Sequence, residues 1–366
     1  MKSARRNIPA RCNLCGHDDS VVISRLGVPF YLPVRNVVCK RCGLVYRDPI
    51  PGPQQLADFY YNYRKKTINL EEPTPEYEEY ARRMAYYHYS FFREYCRPGM
   101  AILDIGCGAG TLLSHAVQDH LIAYGVNPDP GFGNYGLKHY GLKEVQICLF
   151  EQASFPSAMF DIITCNHVFE HLVDPTAALM RIRKYLKTNG LIYFSIPNVL
   201  SPHGQLEYNF FWEHITNFSP TTITLLLKKM GFKIIKISTY GYETADGLHH
   251  PYIDLVARKE ELETPCLIDW SVEGERWVDI DTFLKHYRND FFVKHNVVRC
   301  YLGLAFFALN YYIKDKAPLL RTYNLLKNAL IRILGISKER YVHTEPDYCT
   351  RPMVLEFPAD RCIYYQ

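Results

Sequence analysis

The apolar positions of the chain change period several times, and each change predicts an element. "AILDIGCG" (Ala101 to Gly108) is a continuous apolar run that ends in one carboxylate and then glycines, the pattern of a buried strand entering a tight turn. "TLLSHAVQ" behind it spaces its apolar residues as one face of a helix. Nearer the N-terminus, "VVIS" and "VRNVVC" are short β-like runs. "PEYEEYARRMAYYHYSFFREYCRPG" reads as a helix with Thr74 as N-cap, Pro75 in the first turn, acids at Glu76, Glu78 and Glu79, and Pro98-Gly99 as the stop. Its Tyr and Phe residues cover more than one face, which suits a helix packed between modules or a lid over a substrate. Beyond residue 260, "ERWVDIDTFLKHYRNDFFVKH" and "APLLRTYNLLKNALIRILG" read as helices. The second carries Leu319, Tyr323, Leu326 and Leu330 on one stripe and ends at Gly335, a pattern of core or homodimer contact. "CYLGLAFFALNYYI" (Cys300 to Ile313) is too short to span a bilayer, so no transmembrane segment is expected.

Composition narrows the class. The chain has 366 residues, enough for two or three domains, with 48% hydrophobic and 22% charged residues and no repeat or low-complexity tract. A net charge of +4, with its one basic cluster in the terminal "MKSARR", predicts no nucleic-acid partner. Twelve cysteines without a secretion signal predict a reducing compartment, the cytoplasm by default, where thiols are free or bind metal.

Four of those thiols fall into two knuckles. Cys12-Asn-Leu-Cys15 and Cys39-Lys-Arg-Cys42 are each followed by glycine, Gly16 and Gly43, which lets backbone amides turn toward sulfur. Four soft ligands in two pairs predict a tetrahedral structural zinc in a zinc ribbon. With every position filled by cysteine, the metal folds the module and leaves no coordination site open for catalysis.

Asp104 lies two residues before Gly106, which with Gly108 and Gly110 makes a GxGxG turn and not the GxGxxG of a dinucleotide site. The glycines clear a path for a ligand along bare backbone at a helix start, and the carboxylate repels phosphate and attracts a cation. "LDIGCGAG" resembles the first motif of class I S-adenosylmethionine-dependent methyltransferases. "FDIITCNHVFEHLVDP" resembles their fourth strand and following loop, "LKTNGLIYFSIPN" their next helix-turn-strand, and "FKIIKISTYG" with "PYIDLVARK" their final antiparallel pair. The paired-CxxC head resembles that of bacterial sugar and glycan-pathway methyltransferases, including nucleotide-sugar C-methyltransferases.

That resemblance covers about residues 99 to 260. It implies an α/β, Rossmann-like fold with a seven-stranded sheet of order 3-2-1-4-5-7-6 and S-adenosylmethionine across the strands' C-terminal edge. It implies that Asp104 holds the amino end of the ligand, directly or through water, that Gly106, Cys107, Gly108 and Gly110 pass beneath it, and that Asn166 and His167 flank it. The second strand of such a domain should end in an acid for the ribose hydroxyls. Asn127 stands there, with Asp129 as a substitute if the loop bends, and Leu149 and Phe150 fall at the adenine.

His167-Val-Phe-Glu170-His171 matches an HxxEH zinc-protease pattern, but it follows a strand here and not the helix that chemistry requires. The pair Glu170-His171 resembles a loop brace in many relatives. With His214 in "FWEHITNFSP" it also resembles the metal motif of small-RNA 2'-O-methyltransferases and the EH region of ubiquinone-pathway O-methyltransferases. Glu170, His171 and His214 are therefore candidate ligands for a second, divalent metal, and His171 or His214 is the candidate general base. "NVLSPHGQLEYNFFWEHITNFSP", with His203, Tyr208 and Trp212, and "GYETADGLHH" are candidate acceptor walls.

The expected organisation is a zinc ribbon over 1–50, a helical linker over 51–98, the S-adenosylmethionine-binding domain over 99–260 and a mainly helical extension over 261–366. The expected activity is O-methylation of a sugar nucleotide, glycan precursor or other small hydroxylated metabolite. An RNA or tRNA methyltransferase gripping its substrate with the zinc module, and a cofactor-binding scaffold without turnover, are the alternatives.

Overall fold

The computed structural model describes residues 10–27, 34–52, 55–56, 72–204, 206–244, 249–261, 268–295, 353–354 and 363–364. The apolar run at Cys300 to Ile313 and the Leu319 to Leu330 stripe lie outside the described residues. β1 (Ser20–Ser24), β2 (Asn36–Cys39) and β3 (Val45–Arg47) make an antiparallel head. After α1 (Pro75–Phe92) come β4 (Ala101–Ile105), α2 (Thr111–Gln118), β5 (Ile122–Val126), α3 (Pro130–Tyr140), β6 (Glu144–Gln146), β7 (Phe160–Asn166), α4 (Pro175–Tyr185) and β8 (Leu186–Pro197). The chain continues through β9 (Thr216–Asn217), α5 (Pro220–Lys229), β10 (Phe232–Ser238), β11 (Tyr242–Thr244), β12 (His249–His250) and β13 (Tyr252–Lys259). It ends with α6 (Trp277–His295), β14 (Met353–Val354) and β15 (Ile363–Tyr364). Among the described residues no helix is long and apolar enough to cross a membrane.

The large sheet runs β15-β10-β13-β8-β7-β4-β5-β6. Leaving aside the two-residue edge strand β15, this is the expected 3-2-1-4-5-7-6 order. β4 to β8 are parallel, and β13 runs antiparallel to both β8 and β10. From β4 the chain moves outward to β5 and β6, then returns to β7 and β8 on the other side. The crevice where that direction reverses, beyond the C-terminal ends of β4 and β7, is where open α/β sheets bind ligands.

Four helices begin with the same device. Thr74, Asp129, Asp174 and Ser219 each accept a backbone N–H with the side chain, and each is followed by proline at the first helical position. Each such cap contributes about 1 kcal/mol and fixes where its helix starts. α1 ends at Phe92 and passes into a 3-10 turn at Arg93–Tyr95, short of the Pro98-Gly99 stop the sequence predicts. It buries Tyr87, His88, Tyr89, Phe91 and Phe92 on one face of the sheet. The head is continuous with the rest, because β9, between β8 and α5, pairs with β3.

Candidate active site

Asp104, next to last in β4, is a buried carboxylate that accepts a hydrogen bond from Thr164 Oγ1 at 2.7 Å. Burial pushes its pKa up to about 7, against the lowering effect of the Thr164 bond. The turn behind it needs its glycines. Gly106 has φ +76°, and a Cβ there would overlap Val168 Cγ2. Gly108 has φ +53° and open space where a Cβ would stand, the opening expected of a ligand path. Gly110 is the left-handed N-cap of α2, with Leu142 Cδ1 2.8 Å from its would-be Cβ. The Cys107 thiol is buried in the core, so only its backbone faces the turn.

Asn127, buried at the end of β5, donates from Nδ2 to the carbonyls of Gly108 at 3.4 Å and Asp129 at 3.1 Å. It ties the glycine turn to the neighbouring loop and keeps Oδ1 as the atom it can offer a ribose hydroxyl. Asp129 Oδ1 caps α3 by accepting the Phe132 N–H at 3.2 Å. Of the two adenine candidates, Phe150 packs in the core, whereas Leu149 is 41% exposed. Asn166 ends β7 with Oδ1 buried and without a hydrogen-bond partner among the described residues.

The HxxEH stretch forms a 3-10 turn, Phe169–His171, and not the α-helix of a zinc protease. His167 takes a left-handed backbone, φ +51°, and Val168 lies against Gly106, so the turn abuts the glycine loop. Glu170 is 2% exposed, and among the described residues no hydrogen bond reaches either of its carboxylate oxygens. Its Oε1 stands 3.7 Å from His171 Nε2 and 3.9 Å from His167 Nδ1. The His171 and His214 rings meet edge to face at 4.9 Å, and His214 Nδ1 is buried without a hydrogen-bond partner among the described residues. Donor atoms of Glu170, His171 and His214 all lie within 4.8 Å of one another, close enough to share a cation. Burial pushes Glu170 up to about 8 and Glu213 up to about 7, and it holds His167 down to about 4 and His214 well below the imidazole range. These groups favour neutrality until a charged partner arrives.

A family model described as "Methyltransferase domain" matches residues 77–237. That stretch is therefore similar to a methyltransferase domain, and the sheet it helps build has the strand order of the Rossmann-like methyltransferase fold. Among curated relatives, the Ubiquinone biosynthesis O-methyltransferase of Histophilus somni is 30% identical over 106 residues, 26% of this chain and 44% of that protein. Its namesake in Bradyrhizobium diazoefficiens is 33% identical over 28% of this chain and 42% of its own length. The chain thus spans less than half of these curated relatives. The solved 1,6-didemethyltoxoflavin-N1-methyltransferase of Burkholderia thailandensis aligns with 60% of this chain and 96% of its own, at 16% identity and TM-score 0.44.

The head meets the methyltransferase domain next to the Glu170 cluster. Arg47 N–H donates to the Ile215 carbonyl at 2.9 Å, and Ile215 N–H donates to the Glu170 carbonyl at 2.9 Å, so one residue links β3 to the 3-10 turn. Arg47 also donates to the Trp212 carbonyl and lies 4.3 Å over its ring. In the head, the sulfurs of Cys12, Cys15, Cys39 and Cys42 lie within 4.8 Å of one another, with Cys12–Cys42 at 3.4 Å and Cys15–Cys39 at 3.5 Å. Four sulfurs about 2.3 Å from a tetrahedral zinc stand about 3.8 Å apart, so the set fits that metal. Gly16 at φ +74° and Gly43 at φ +78° donate their N–H groups back to the Cys12 and Cys39 carbonyls, closing both knuckles.

One group of buried polar residues has no sequence signature. His88 of α1, Tyr193 of β8, and Asp254 of β13 form a hydrogen-bonded chain beside His167, joined by Tyr87. They come from distant segments and carry no shared motif.

Proposed function

We propose that this protein transfers the methyl group of S-adenosylmethionine to a hydroxyl of a small molecule, a sugar nucleotide or glycan precursor in the first instance. The observation that carries the reading is Glu170: a buried carboxylate without a hydrogen-bond partner among the described residues, its donor atoms within 4.8 Å of those of His171 and His214, on the turn whose Val168 lies against the glycine loop. A buried polar group left unsatisfied in this way costs about 1–3 kcal/mol, which a bound hydroxyl or cation offsets. S-adenosylmethionine would be held by Asp104 at its amino group, by the backbone of Gly106, Cys107, Gly108 and Gly110, by Asn127 at the ribose, by Leu149 and Phe150 around the adenine, and by Asn166 and His167 beside the methionine. When bound it supplies an electrophilic methyl on a sulfonium, a good leaving group, so positioning carries much of the acceleration.

His171 and His214 are the catalytic pair that holds the acceptor hydroxyl, and with Glu170 they are the residues that would bind a divalent ion to lower its pKa. Oxygen as the acceptor atom is supported by the names of the curated relatives; the sugar class is supported by the resemblance of the paired-CxxC head. Cys12, Cys15, Cys39 and Cys42 hold structural zinc in this reading. Calorimetry with S-adenosylmethionine and S-adenosylhomocysteine, followed by product formation on a panel of sugar nucleotides and phenols, tests the whole. Binding without turnover on any acceptor would point to a scaffold, and no binding would end the proposal.

A further inference from the structure

Tyr87 and Tyr193 each donate a hydroxyl to Asp254, at 2.8 Å on separate carboxylate oxygens. With the Tyr193 proton directed to Asp254, the 2.9 Å contact between His88 Nδ1 and the Tyr193 oxygen requires Nδ1 to carry its hydrogen. Neutral His88 then has a bare Nε2, for which no described residue is a partner. The side chain is 5% exposed, and its ring lies edge-on to His167 with centroids 5.6 Å apart. His167 is itself 33% exposed at the cofactor edge and packs on Tyr252 at 4.5 Å. The groups facing His88 are thus Tyr87 of its own helix, Tyr193, Asp254 and His167. Burial, then His167 beside it, holds His88 well below the imidazole range, so it is neutral at pH 7. Burial pushes Asp254 up to about 6, which leaves it ionised there.

We propose that His88 is the general base of the methyl transfer, with Tyr193 and Asp254 fixing its tautomer and meeting the charge it acquires. This rests on the methyl-transfer reading above. As the acceptor's oxygen bonds the methyl carbon, its proton passes to His88 Nε2 and the pair of the broken methyl–sulfur bond stays on sulfur. The imidazolium is stabilised by Asp254 through Tyr193, then returns its proton to solvent after product leaves. A base oriented by a group behind it is a recurrent catalytic arrangement.

Nitrogen-15 NMR of the full-length protein tests the placement without an acceptor. The His88 signals, assigned by their loss in His88→Gln, should show a protonated Nδ1 and a bare Nε2 from pH 7 to 8. Tyr193→Phe should release that tautomer into a mixture. S-adenosylhomocysteine affinity should stay within about threefold in a folded His88→Gln. On whichever of catechol, phenyl β-D-glucoside and UDP-glucose the wild type methylates, the same variant should cut kcat about a hundredfold with KM little changed. A protonated Nε2 in the wild type, or a tenfold loss of S-adenosylhomocysteine binding in His88→Gln, overturns this assignment alone. Absence of S-adenosylhomocysteine binding to the wild type overturns the methyl-transfer reading and this assignment with it.

Discussion

Moving the protein from pH 8 to pH 5.5 should weaken its binding of S-adenosylmethionine, and Asp104 sets the size of the effect. Burial raises its carboxyl to about 7 in the free protein. Only the ionised form meets an ammonium group, so the bound state lowers that pKa. Binding is therefore strongest above the free value and is lost as pH falls through it. For a free pKa of about 7, the ionised fraction drops from about nine-tenths at pH 8 to about one-thirtieth at pH 5.5, which is about 30-fold in affinity or about 2 kcal/mol. Titration calorimetry across that range, in buffers of different ionisation heat, reads both the affinity and the proton released at low pH. Asp104→Asn should bind weakly with no pH dependence over the same range. A wild-type affinity flat within about twofold, or a variant that keeps the slope, would refute the role given to this carboxylate.

The glycines of the turn should separate by cost. Gly106→Ala meets Val168 at φ +76° and should lose about 2–4 kcal/mol by urea unfolding, whereas Gly108→Ala, with open space at φ +53°, should lose about 1 kcal/mol yet bind the cofactor poorly. A Gly108→Ala that binds normally contradicts the ligand path. Elemental analysis should find one zinc per chain, lost in Cys39→Ser with a lower Tm, and a metal-free stable wild type would remove zinc from the account. Arg47→Ala removes the Trp212 contacts and should cost about 1–3 kcal/mol in unfolding, with slowed transfer; a change under about 0.5 kcal/mol counts against that anchor. His214→Ala should slow transfer at unchanged cofactor affinity, and weakened cofactor binding would refute that division of roles.

What was legible in the chain was local. Asp104 and its glycines are contiguous, so spacing alone exposes both the turn and the sign of charge it wants. The Thr74-Pro75 start is likewise local, and the structure has that cap. The end of α1 was less legible, because Phe92 leaves the helix through a 3-10 turn before any breaker residue is reached. The Asp129-Pro130 pair is a second local helix start, and that cap forms as well. Pairings between distant segments left no trace in the pattern: β9 is two residues long, and its match to β3 joins positions far apart in sequence. The His88, Tyr193 and Asp254 chain is of the same kind, since one residue from each of three elements far apart in sequence carries no shared period.

The most direct measurement is a crystal structure of the protein soaked in S-adenosylhomocysteine. The account predicts density along the backbone from Ile105 to Thr111, with the amino group at hydrogen-bonding distance of Asp104 or one water from it. An empty turn, or a phosphate-bearing ligand seated in it, would contradict the account at its root.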